Sequence, residues 1–86
     1  MRKGKKVTAA MMSAAMKATG LKYQLGEDPD DPDVHAKLDE TVLKLLTAEL
    51  EAGMITQQEY DRATATLRES GWRAVYALAT DYIFRK

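Results

Sequence analysis

Gly53-Met54-Ile55-Thr56-Gln57-Gln58-Glu59-Tyr60 is the stretch on which the reading of this chain turns. A glycine that follows an apolar-periodic run supplies the left-handed residue that closes a helix C-terminus. Thr56 and Glu59, three positions apart, have the spacing of a capping box, in which hydroxyl and carboxylate answer each other's free backbone N–H groups. One helix is therefore expected to stop before Gly53 and another to start at Gln57. The fold class this implies is all-α: a small helical hairpin or bundle with a long C-terminal helix, completed by oligomerisation or by a partner.

Upstream of the corner, Val34, Leu38, Val42, Leu45 or Leu46, and Glu49 or Leu50 trace one stripe, and Leu43, Leu46, Leu50 and Met54 a second. A helix from about Pro32 to Ala52 with so wide an apolar face is expected at the centre of a bundle, or between its own fold and a partner. It is preceded by the acidic, Pro-containing loop 26–33, in which Asp31, Pro32 and Asp33 read as N-cap, N1 and N2. The same loop fails as a calcium loop. Counted from Asp28, it puts Asp33 where a glycine is required and Asp39 where a bidentate Glu belongs. His35 and Asp39, one turn apart, read as a helix-surface pair, since no third or fourth ligand accompanies them. No metal and no cofactor is expected.

Downstream, Tyr60, Ala63 or Thr64, Leu67, Gly71, Val75, Leu78 and Tyr82 keep helical spacing across Ser70-Gly71, so one long helix through Gly71 is preferred to two helices broken there. Trp72, Tyr76, Ala79 and Ile83 make a second stripe on this segment. Both stripes exceed what one small chain is expected to bury, which assigns Trp72, Tyr76 and Ile83 to an intermolecular contact.

The N-terminal part opens with a basic leader, residues 1–6, containing Arg2, Lys3, Lys5 and Lys6. An Ala- and Met-rich helix is expected from Val7 to Thr19, ended by Gly20. Leu21-Lys22-Tyr23-Gln24-Leu25 alternates and reads as an extended connector that tucks Leu21, Tyr23 and Leu25 against the helices. Met12 and Met16 sit beside the apolar face of this first helix. They suit an adaptable partner-binding surface, although ordinary core packing of a first helix is the simpler reading. The apolar run is short and broken by Thr8, Ser13 and Lys17, which argues against a signal peptide and a membrane span.

Eighty-six residues make one small helical domain, 1–86, with a thin stability margin. Without cysteine, and with a single His, neither a disulfide nor a structural zinc set is at hand, which raises the weight of self-association. Formal net charge is zero but unevenly spread. Residues 1–25 hold six bases and no acid, 26–61 eleven acids against Lys37 and Lys44, and 62–86 five bases against Glu69 and Asp81. Such a layout pairs head to tail with a neighbour or offers a basic arm to phosphate. No Gly-rich phosphate loop, nucleophile and base, or enclosed carboxylate pair is visible, so catalysis is not expected.

Leu45 to Leu67, LLTAELEAGMITQQEYDRATATL, resembles the short oligomerisation hairpin known as SHOCT in Gly53, Ile55, Thr56, Glu59 and Tyr60. The resemblance covers about a quarter of the chain. It implies self-association rather than catalysis, with the difference that this chain continues for some twenty residues past the hairpin. The expected function is a non-enzymatic protein-protein interaction or assembly module, a structural or accessory part of a larger, phage-like complex. It is placed in the cytoplasm or within a macromolecular assembly. Two alternatives stand beside it. One is a small nucleic-acid-associated regulator using the basic arm at Arg2, Lys3, Lys5 and Lys6, although Glu59 and Asp61 disfavour the corner as a DNA-reading element. The other is an inhibitor docking the acidic loop Asp28 to Asp33 into a basic site.

Overall fold

The structure, a computed structural model, describes residues 7–84. Its four helices, in chain order, are α1 (Ala9–Leu25), α2 (Pro32–Glu51), α3 (Gln57–Ser70) and α4 (Arg73–Phe84). No strand occurs among the described residues. Each of the first three starts is fixed by a side chain that accepts otherwise unpaired N–H groups. Thr8 Oγ1 accepts from Met11 at 3.2 Å, and Asp31 Oδ1 accepts from Asp33 at 3.0 Å and Val34 at 3.4 Å. At the corner, Thr56 Oγ1 accepts from the Glu59 N–H at 3.1 Å while Glu59 Oε1 accepts from the Thr56 N–H at 2.7 Å.

The end of α2 is equally well defined. Gly53 has φ 76°, its N–H donates to the Leu50 carbonyl at 3.0 Å, and the Met54 N–H reaches back to Glu49 at 2.9 Å. This pair of bonds is the Schellman closure, which requires the left-handed residue that glycine supplies without strain. Met54 and Ile55 then turn into the core. α3 returns antiparallel to α2, with the Tyr60 hydroxyl 3.0 Å from Thr47 Oγ1 near the corner and Trp72 beside Asp39 at the far end.

Two boundaries differ from the sequence expectation. α1 does not stop at Gly20 but runs on to Leu25, because Leu21 and Leu25 extend the inner row of Met11, Ala15 and Ala18, all buried. Burying a leucine is worth about 1.5–3 kcal/mol, against about 1 kcal/mol for a glycine inside a helix, so packing wins. The segment 21–25 is thus helical, and Tyr23 points away from the core instead of tucking into it.

The second difference is at Gly71. Its φ of 86° and ψ of 175° lie in a region essentially closed to residues with a Cβ, so the helix ends at Ser70 and a new one begins at Arg73. The even spacing across Ser70-Gly71 reports only phase and is blind to a break that re-aims the chain beyond it. That break rotates the stripe of Trp72, Val75 and Ala79 into the core.

α2 is the central element and packs on all three other helices, while the backbones of α1 and α3 do not approach each other closely and α4 bridges them. Val34, Leu38, Val42, Leu45 and Leu46 of α2 are buried, as its wide apolar face requires. They share one core with Met11, Ala15 and Ala18 of α1, Ala63 and Leu67 of α3, and Trp72, Val75 and Ala79 of the last segment.

Candidate interaction surface

Trp72, expected to face outward, is only 4% exposed. Its indole N–H donates to His35 Nδ1 at 3.0 Å. That ring nitrogen therefore carries no hydrogen, and Nε2 donates to the Pro29 carbonyl at 2.7 Å. One neutral imidazole thus ties the acidic loop to the start of α4. The backbone N–H of Trp72 donates to Asp39 Oδ1 at 3.0 Å, so a carboxylate from α2 caps α4 and sits at the positive end of its dipole. His35 and Asp39 are accordingly not a bare surface pair. They are two acceptors one helical turn apart that grip the same residue.

Around this clasp, Tyr76 meets the indole edge-to-face, ring centres 5.7 Å apart, and the Arg73 guanidinium lies 5.2 Å from the indole centre. Tyr76 is half-buried against the core. The Thr19 hydroxyl donates to the Ala15 carbonyl at 2.9 Å, which leaves the Tyr76 phenol to donate to Thr19 Oγ1 at 3.3 Å. Lys22 Nζ sits 4.7 Å over the Tyr76 ring. Ile83 is also half-buried and packed against the core. The aromatic group that sequence periodicity put on the outside is therefore the joint between α4, α2 and α1.

Met12 and Met16 stand differently. They are 39% and 63% exposed, and Tyr23, which the sequence placed inside, is 79% exposed. At 3.6 residues per turn, Met12, Met16, Gly20 and Tyr23 fall within about 80° of arc on the side of α1 that faces away from the core. A Cβ placed on Gly20 would meet nothing within 4 Å. α1 thus carries an apolar outer patch besides its inner row, with the exposed Ser13, Lys17 and Gln24 along one edge of that patch. The signal in the sequence is that Met12 and Met16 share an arc with Tyr23 once the helix continues past Gly20. Arg2, Lys3, Lys5 and Lys6 lie outside the described residues.

One buried group was visible only as an option on the α2 stripe. Glu49 is 0% exposed, and neither carboxylate oxygen has a hydrogen-bond partner. Burial raises its pKa from 4.5 to about 8, so the carboxyl is held in its protonated form at neutral pH. It stands among apolar core residues, with no nucleophile or second acid bonded to it. The apolar hollow between α2, α3 and α4, lined by Leu46, Ile55, Ala63, Val75 and Leu78, includes Glu59 and Arg62. Glu59 is committed to the capping box there.

Among the described residues no group of three metal-ligating side chains converges, and no helix is long and apolar enough to cross a membrane. The chain matches no family model, no curated protein and no solved structure.

Proposed function

We propose that the chain is a self-associating assembly module that acts through protein contact rather than catalysis. The observation that carries this reading is the outer face of α1, where Met12, Met16 and Tyr23 stand exposed on one side of the helix. Large apolar side chains grouped on one exposed face mark a contact surface, where single scattered ones do not. Within the described residues only the inner side is covered, by α2 and α4. The division of charge supports the same reading, since a basic N-terminal quarter and an acidic loop complement each other between two copies.

Sedimentation equilibrium across micromolar to millimolar protein, with and without a short DNA duplex at about 50 mM and 150 mM salt, tests it. The expected result is a concentration-dependent mass above 9.6 kDa that DNA does not change. A single-chain mass at every concentration overturns self-association. A shift with DNA that weakens steeply with salt would move the function to phosphate contact by the basic arm.

A further inference from the structure

We infer that two copies pair through α1 against α1, antiparallel, with Met16 of each chain seated over the partner's Gly20 and Met12 beside the partner's Tyr23. This assignment rests on the self-association reading above and adds the surface and its register.

Gly20 is the first reason. It lies inside a helix with ordinary right-handed backbone, so no turn or positive φ calls for it. Nothing in the chain approaches the space where its Cβ would be, so no internal contact calls for it either. A mid-helix glycine that weakens its own helix and serves no internal packing is accounted for by an outside group that uses the notch. Met16, four residues away on the same face and 63% exposed, is a flexible side chain suited to fill it.

Symmetry is the second reason. Two identical helices meeting across a two-fold axis must present self-complementary patches. An axis passing at the level of Ala18 sets Met16 against the partner's Gly20 and, by the same operation, Met12 level with the partner's Gln24, one residue from Tyr23. A parallel pairing would instead stack Met16 on Met16 and leave both notches empty.

Charge is the third. In the antiparallel register the C-terminal end of α1, followed by Glu27, Asp28, Asp30 and Asp31, comes to the end of the partner's α1 that follows the bases Arg2, Lys3, Lys5 and Lys6. Seventeen residues make a helix of about 25 Å, a face smaller than the roughly 800 Å² per partner of a standard interface. Attraction between the charged ends adds to it, and Lys17 on the flank opposes it, so the pairing is weaker than a standard interface and salt-sensitive.

The test uses the full chain and two sets of variants. Gly20→Leu fills the notch with a Cβ that meets nothing within 4 Å, so circular dichroism is expected to show an equal or more stable helical protein whose dimer affinity falls at least 10-fold. Because the chain has no cysteine, Met16→Cys and Gly20→Cys proteins can be mixed under mild oxidation. The mixed disulfide is expected to form faster than either homodimer. Unchanged dimer affinity in folded Gly20→Leu, or preferential Met16→Cys self-crosslinking, overturns the register while leaving self-association in place. A wild-type chain that stays single at every concentration overturns both.

Discussion

Among the described aromatic side chains, Trp72 and Tyr23 are the two whose surroundings differ most. Trp72 is 4% exposed, with its indole N–H and its backbone N–H each given to a named acceptor. Tyr23 is 79% exposed, on the side of α1 that also carries Met12 and Met16. The same contrast holds between the helices at the two sides of the stack. α3 buries only Ala63 and Leu67 and turns Gln57, Gln58, Asp61 and Arg68 outward, while α1 turns Met12, Met16 and Tyr23 outward. Both are peripheral, so position in the fold does not explain the exposed apolar patch of α1. Large apolar side chains in this molecule therefore fall into two groups: the inner ones hold the chain together, while Met12, Met16 and Tyr23 on α1, with Leu43 of α2 and Leu78 of α4, stand exposed.

The largest effect separates the two kinds. Trp72→Ala removes a buried indole, leaves the acceptor on His35 unmatched, and should destabilise the chain by about 3–5 kcal/mol. Urea unfolding should show this as a lower midpoint. An unchanged midpoint would mean the indole is not buried as described.

Glu49 is the weak point of the inner side. Its pKa is raised, from 4.5 to about 8, so its contribution to stability is fully present below 4.5 and is lost as pH rises through 8. Across that window the loss is on the order of a few kcal/mol. Unfolding free energy measured from pH 4.5 to 8.5 should decline in the wild type, and that decline should be smaller in Glu49→Met.

Gly71→Ala comes next. Space exists for a methyl group, the nearest atom being Asp39 Oδ1 at 4.0 Å, but a φ of 86° does not suit an L-residue. A loss of about 1–3 kcal/mol is expected, with Trp72 fluorescence shifting as its cap to Asp39 is disturbed. Gly20→Ala, at the open glycine of α1, should instead gain about 1 kcal/mol. Equal effects at the two glycines would contradict the break at Gly71.

The smallest effect on stability is expected at Tyr23. Tyr23→Ser should change unfolding free energy by less than about 0.5 kcal/mol, while self-association measured by light scattering falls. A large stability loss without any change in mass would erase the contrast with Trp72.

The features that were legible in the sequence share one property: they are local. The capping box at Thr56 and Glu59, the glycine closure at Gly53 and the Asp31-Pro32 start of α2 each depend on residues within a few positions, and each has the geometry that its spacing implies. The surfaces were not legible because they depend on contacts between distant residues. Trp72 meets His35 and Asp39 across more than thirty positions. Without that clasp its stripe looked surplus to a small core and was sent outward. Gly20 and Gly71 were each read from phase and propensity. What decided them was, respectively, two leucines that reward continuing the helix and a backbone angle that forbids it. Glu49 lay on the correct stripe, but a carboxylate at that position gives no sign of whether it reaches water.

That buried carboxyl also alters the proton inventory of the molecule. A formal charge of zero assumes every acid ionised, yet at neutral pH the folded chain holds one extra proton on Glu49 and is closer to +1. Unfolding returns the group to its ordinary acidity and releases that proton to the buffer, nearly one per molecule at pH 7. The calorimetric heat of unfolding should therefore vary with the ionisation heat of the buffer, and the folded protein should focus at a higher pH than the 6.6 its composition dictates.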